Sequence, residues 1–266
     1  MRSSTLLLAL VLAGCSDKPQ GPTTGSNSNW LVACDRDADC EGATTACICG
    51  ACTRPCDDEA ACEGLDGARC ASANQPSAWS QCESRESAVA MCLPVCTPGS
   101  CPAGQACVEG SCVFSAFPDT EPCAGLGTPE AEVVVAEEEL LAVLQARRMD
   151  GGTVCGAAEP APAVAPLRLD ARLRCAARFL AADIRETRAE TLVDSLGRDT
   201  PERLALTGYD QRIWVEAFEL AVTSADDALS RMLAEDGVCS ELVSDGYADV
   251  GVGRAGDVAV LTVAAE

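Results

Sequence analysis

Fourteen of the chain's 19 cysteines stand between residues 30 and 115, in a segment with almost no large apolar side chains. Trp79 is the one aromatic residue between Leu31 and Val113. Such a segment buries too little surface to offset its chain entropy, so it has to be stapled covalently. At roughly 2–4 kcal/mol per bridge, seven disulfides would supply most of its stability. Three imperfect copies of one unit run through it: Cys34-x5-Cys40-x6-Cys47, Cys56-x5-Cys62-x7-Cys70 and Cys96-x4-Cys101-x5-Cys107-x4-Cys112. An acid-Gly pair follows the second Cys in the first two copies, Glu41-Gly42 and Glu63-Gly64, a turn signal at an equivalent place. The spacing is too irregular to assign connectivity. Residues 30–115 therefore read as a small, loop-dominated, disulfide-rich domain.

Two motifs inside it invite other chemistry. Cys49-Gly-Ala-Cys52 has the spacing of a redox dithiol or half a zinc site, but lacks the strand–helix context of the first and a partner CxxC or His for the second. A structural disulfide role is the expectation. Asp35-x-Asp37-x-Asp39 has the start of a calcium loop, yet Cys40 stands where an EF-hand needs Gly and Ala46 where it needs Glu. It reads as a solvated acidic turn, with a weak calcium site as the alternative; no other cofactor is expected.

The N-terminus settles the compartment. Residues 1–14 carry Arg2, an apolar run from Leu6 to Ala13 and no acid, and lead into Leu12-Ala13-Gly14-Cys15. This resembles the signal peptide and lipobox of a bacterial lipoprotein precursor. The resemblance implies cleavage before Cys15, a diacylglycerol on its thiol and usually a further acyl chain (palmitate or similar) on its amine. The apolar run is too short to span a bilayer, and no other segment approaches ~20 apolar residues. Each buried methylene contributes roughly 0.8 kcal/mol, so two or three acyl chains hold a protein on a membrane essentially permanently. Residues 15–29 are the lipidated Cys and a polar, Pro- and Gly-containing flexible tether. Ser16 after the lipidated Cys leans toward the outer membrane of a bacterial envelope. The Cys-rich segment is then expected to act as a stalk beyond the tether.

Removing residues 1–14 leaves 18 basic against 41 acidic residues, a net charge of −23. A body that acidic repels nucleic acid and anionic head groups. Setting Cys15 aside, 18 cysteines remain, an even number in an exported chain, where disulfides are the default. Histidine is absent altogether. That removes the usual general base, the usual zinc ligand and every Ser-His or Cys-His pair.

After a linker at 116–129 the character changes to helical periodicity and fewer cysteines. Glu130 to Met149 reads as a helix with Val133, Ala136, Leu140 and Leu144 on its core face. Asp170 caps a second helix to Arg188, with Leu173, Ala177, Leu180 and Ile184 inward and arginines opposite. Thr200-Pro201 starts a short helix that Gly208 stops, and Ser224-x-x-Asp227 opens one running to about Glu235. Asp249 to Gly253 and Asp257 to Val263 alternate like two strands around the turn Arg254-Ala-Gly256. Helices with late strands make residues 130–266 an α+β domain.

Several phrases along these elements resemble the CAP superfamily (cysteine-rich secretory proteins, antigen 5 and pathogenesis-related 1; SCP-like domains). They are Ala146-Arg147-Arg148, Cys155-Gly156, Pro166-Leu-Arg-Leu-Asp170, Thr200-Pro201-Glu-Arg203-Leu204 with Gly208-Tyr209, Asp226-Asp227-Ala228-Leu229 and Tyr247-Ala-Asp-Val-Gly251-Val-Gly253. The resemblance implies an α-β-α sandwich. It also implies pairing of Cys155 with Cys239, which leaves Cys123 with Cys175. The family's cleft carries two histidines and acidic residues that bind a divalent metal in many members. Here those histidine positions fall near Leu192 and on Val238, and the family's Gly-Glu-Asn falls on Val215-Glu216-Ala217. One carboxylate among aliphatics makes no useful zinc site. Asp194 and Asp199 are near enough in sequence to rebuild a hard-cation site with Glu216 as an alternative.

The resulting expectation is a non-catalytic, membrane-anchored binding or structural module with a degenerate cleft at Leu192, Glu216 and Val238. Its ligand would be a protein, glycan or lipid, and not nucleic acid. A hydrolase or metal-dependent enzyme with a carboxylate-only site around Glu216 is the alternative. Lipid or sterol carriage in a cleft made greasier by Leu192 and Val238 is a second.

Overall fold

The computed structural model describes residues 31–32, 34–40, 45–65, 67–82, 85–102, 105–114, 123, 126, 129–209 and 213–265. Cys15, the signal segment, the tether and the Glu41-Gly42 pair lie outside the described residues. Among the described residues no helix is long and apolar enough to cross a membrane.

The Cys-rich segment folds as three hairpins: β1 (Ala46–Ile48) with β2 (Ala51–Thr53), β3 (Ala68–Ala71) with β4 (Met91–Pro94), and β5 (Gln105–Val108) with β6 (Ser111–Phe114). The first and third close on two-residue turns, Cys49-Gly50 and Glu109-Gly110, whose four residues all have φ between 45° and 77°. Turns of that hand match the twist of the flanking strands.

The disulfides obey one rule across the three units. With Cys49 and Cys82 set aside, each unit holds four cysteines bonded first to third and second to fourth: Cys34–Cys47 with Cys40–Cys52, Cys56–Cys70 with Cys62–Cys92, and Cys96–Cys107 with Cys101–Cys112. The third and fourth cysteines face each other across the hairpin, as Cys47↔Cys52, Cys70↔Cys92 and Cys107↔Cys112. The middle unit looks irregular in sequence because α1 (Pro76–Gln81) is inserted between its two strands. Cys49 bonds Cys82, at the end of that insertion, so the two cysteines of Cys49-Gly-Ala-Cys52 are not bonded to each other. The acidic turn is occupied by its own chain. Asp39 accepts from the amides of Asp35 and Arg36, and Asp37 accepts from the amide of Cys47.

The second half has α2 (Ala131–Asp150), β7 (Arg168–Leu169), α3 (Ala171–Thr187), α4 (Thr200–Leu206), β8 (Trp214–Glu219), α5 (Ala225–Met232), α6 (Asp236–Leu242), β9 (Asp249–Ala255) and β10 (Val258–Ala264). The sheet order is β7-β9-β10-β8, with β7 parallel to β9 and the other pairs antiparallel. Val250, Val252, Leu261 and Val263 pack with Leu140, Leu141 and Leu144 of α2 and with Met232 and Leu242. The alternate positions Ala255, Val258 and Val260 pack with Leu180, Ala181 and Ile184 of α3. Gly251 and Gly253 let α3 lie directly on β9. A Cβ at either glycine would stand 2.1–2.5 Å from backbone atoms of residues 173–174 or 177–178.

The disulfide-rich layer is not a separate stalk. Ala78, Met91, Leu93, Ala106 and Val113 belong to the same apolar cluster as Leu140 and Leu144. Glu138 of α2, 2% exposed, receives the amides of Gly99 and Cys107 at 2.9 Å each. The hairpins have only small cystine-centred clusters of their own, so they share this core.

Polar side chains serve as struts on the buried side of α2, where, of the four positions that apolar spacing marks, Leu140 and Leu144 are buried and Val133 and Ala136 only half-buried. Glu137 pairs with Arg174 and Arg178, so Arg174 is buried against α2 rather than facing solvent. Arg148 donates to the carbonyls of Ala165, Leu242 and Ser244, and burial pulls its guanidinium down to about 10. Helix α5 stops at Met232, short of Glu235, and α6 follows as a separate helix of about two turns.

Candidate functional site: the cleft along strand β8

Among the described residues strand β8 ends the sheet, with β10 on one side and no strand on the other. Glu216 stands opposite Thr262 of β10 and points to the face that carries α4. Asp199 caps α4 by accepting from the amide of Glu202, whose carboxylate returns to the Asp199 amide. That capping box fixes the first turn, so Thr200 and Arg203 descend together onto β8. Arg203 Nη2 donates to Glu216 Oε2, Thr200 Oγ1 donates to the same oxygen at 2.6 Å, and Thr262 Oγ1 donates to Oε1 at 3.0 Å. Arg203 is itself held by the carbonyls of Leu192 and Arg198 at 2.7 and 2.9 Å.

Both oxygens of Glu216 are thus engaged, in an ion pair whose side chains are 1% and 0% exposed. Burial pushes the Glu216 carboxyl above its ordinary value, and Arg203, Thr200 and Thr262 oppose that. Asp194 and Asp199 do not join it. Asp194 accepts from Arg198 Nε and from the amides of Leu196 and Arg198, while Asp199 is occupied at its cap. Among the described residues the groupings with metal-ligand spacing are three cysteine trios, and every one of those cysteines is disulfide-bonded.

A cleft of about 340 Å3 runs beside this pair, lined by Leu192, Glu216 and Val238 together with Glu190, Ala217, Phe218, Glu219, Leu220, Arg231, Met232 and Glu235. The two aliphatic positions and Glu216 therefore border one hollow, although Glu216 presents no free oxygen to it. Five of the 11 lining residues are charged, so the hollow is amphipathic and not greasy. Glu219 pairs with Arg231 at 2.9 Å. Its carboxyl is raised by burial, opposed by Arg231 and reinforced by the charges of Glu235 and Asp227. Cys155 bonds Cys239, which anchors α6 directly beside Val238, and Cys123 bonds Cys175 at the start of α3.

The cleft's polar residues, Glu190, Glu219, Arg231 and Glu235, carry no mark in the sequence, and neither does the role of Arg203. The usable signal was Thr200-Pro201-x-Arg203. An arginine in the first turn of a capped seven-residue helix faces inward only if an acid awaits it.

No family model matches the chain, and no curated protein matches it. Among solved structures it is similar to an extracellular SCP-domain protein from Bacillus anthracis at 12% identity and a TM-score of 0.45, over 52% of this chain and 44% of that one. It is similar to a cysteine-rich secretory protein from Staphylococcus aureus at 13% identity and 0.41, over 52% and 40% of the two chains. An outer surface protein from Borrelia burgdorferi follows at 14% and 0.41, over 48% and 90%. The chain spans less than half the length of the first two.

Proposed function

We propose that this chain is a lipid-anchored protein of the bacterial cell envelope whose C-terminal half is a CAP-like α-β-α module that binds a ligand without transforming it. The anchor reading rests on the lipobox ending in Cys15 and on the polar tether behind it. Export is supported by nine disulfides, which persist in oxidising compartments.

One observation carries the non-catalytic reading: the carboxylate of Glu216 is consumed by Arg203, Thr200 and Thr262. A general base or metal ligand needs a lone pair aimed at substrate or ion. The Glu216 side chain is 0% exposed and three of its roughly four acceptor sites are taken, which keeps it from both roles. Recognition then falls to the amphipathic cleft itself.

Two preparations test this reading, the purified oxidised chain and a variant whose cleft is filled by Val238→Trp. Each is incubated with envelope extract, and bound protein, glycan and lipid are identified by mass spectrometry. The expected result is a ligand retained by the natural chain and lost by the variant. Substrate turnover abolished by Glu216→Gln in a protein that stays folded would overturn it.

A further inference from the structure

Five successive residues, Glu216 to Leu220, border the cleft. Four of them, Glu216 to Glu219, belong to β8, and since successive side chains of a strand point to opposite faces, the hollow meets that strand along its edge. The pairing shows what that edge offers. The β9–β10 hairpin closes on the two residues Gly256-Asp257, so the flanking pair Ala255↔Val258 exchanges hydrogen bonds, and every second residue of β10 bonds β9. The intervening Ala259, Leu261 and Val263 bond β8 through Glu219, Ala217 and Val215. Ala265 donating to the carbonyl of Ile213 continues that alternation. The N–H and C=O groups of Trp214, Glu216 and Phe218 therefore point away from β10, and no hydrogen bond among the described residues meets them.

We propose that an extended peptide segment carrying basic side chains docks along β8 as a fifth strand. The inference rests on the cleft being a recognition site and names what it recognises. Main-chain pairing would give affinity, and the side pockets would give selectivity. Glu190, Glu219 and Glu235 line the hollow against the single cation Arg231. A net charge of −22 steers cationic segments toward it and repels anionic ones. The same charge opposes edge-to-edge pairing of two copies.

The test is fluorescence anisotropy on the purified oxidised chain with three labelled hexapeptides. One alternates valine and lysine, one alternates valine and glutamate, and one is the lysine peptide N-methylated on alternate amides. N-methylation keeps charge and side chains but removes the strand pairing. The lysine peptide is expected to bind saturably. The N-methylated form should bind at least about tenfold more weakly, a difference of about 1.4 kcal/mol. Glu190→Gln with Glu235→Gln should weaken the lysine peptide by roughly fivefold and flatten its salt dependence. Phe218→Pro, which removes an outward amide together with the ring packed beside α3, should abolish binding in a chain that urea unfolding shows to be folded, whereas Phe218→Leu, which keeps the amide, should retain it. Equal binding of the N-methylated or the glutamate peptide overturns the proposal. So does absence of saturable binding by the lysine peptide. If that absence is found while Val238→Trp still releases an envelope ligand, strand addition alone falls; if Val238→Trp releases nothing either, the recognition reading falls with it.

Discussion

Arg203 and Glu216 meet as a salt bridge that solvent does not reach, joining the first turn of α4 to the edge strand of the sheet. The pair does two things at once. It pins α4 and the Leu192 carbonyl against β8, which shapes one wall of the cleft. It also removes the only fully buried carboxylate of the cleft from chemistry. Ions taken out of water are tolerated when they are paired and hydrogen-bonded, and here Thr200, Thr262 and the carbonyls of Leu192 and Arg198 hold the two groups.

The contact between α3 and β9 makes the two sheet glycines intolerant. Gly251→Ala and Gly253→Ala each place a methyl 2.1–2.5 Å from helix backbone, which cannot swing aside as a side chain would. Each should cost about 3 kcal/mol, the upper part of the range for overpacking, measured by urea unfolding. Gly237 in α6 has open space around it, and Gly237→Ala should instead gain up to about 1 kcal/mol.

Glu138 is the polar link between the disulfide-rich layer and α2. Glu138→Ala leaves the amides of Gly99 and Cys107 without their acceptor, at an expected cost of roughly 2–4 kcal/mol. Hydrogen exchange at those two amides should quicken first. Glu138→Gln should recover part of the loss. Unchanged exchange in Glu138→Ala would mean the two layers are not coupled there.

The elements that could be read from the chain are those whose signals are local. Asp170 and Ser224 mark helix starts by capping and Pro201 by its place in a first turn that Asp199 caps, and Asp249 to Val263 shows as strands because Val alternates with the Gly and Ala on which α3 lies, both faces being buried. The faces that escaped are those built from polar struts. Glu137, Glu138, Gln145 and Arg148 all turn inward on α2, and hydrophobic periodicity assigns such residues to water. Disulfide connectivity escaped for a different reason: the repeat shows in the spacing, but α1 is inserted ahead of Cys92, which hides that cysteine as the last member of the middle unit. At the cleft, Leu192, Glu216 and Val238 were locatable only through family resemblance. For the pairing of Glu216 with Arg203 the chain offers only Thr200-Pro201-x-Arg203, which places the arginine in a first turn without naming its partner.

The chain's two tyrosines should titrate late. Burial first, then the Asp249 carboxylate that accepts its proton at 2.8 Å, raises the Tyr209 phenol far above its ordinary value. Tyr247, hydrogen-bonded to Glu241, is pushed up to about 12, chiefly by desolvation. Folded-state values above the unfolded one stabilise fully below about pH 10, and that contribution is lost as pH rises through the folded values. Phenolate absorbance of the folded chain should stay flat through about pH 10.5, whereas denatured chain ionises both groups near pH 10. An ordinary titration of the folded protein would show that Tyr209 is not held by Asp249.

The most direct measurement is a denaturant-stability cycle on Arg203→Met, Glu216→Leu and the double variant, read by urea unfolding of the oxidised chain. If Glu216 is a structural partner, each single change strands a buried charge and costs about 3–5 kcal/mol, and the double variant recovers most of it. A Glu216→Leu chain as stable as the natural one, with Arg203→Met equally harmless, would contradict the account and return Glu216 to the cleft as a free carboxylate.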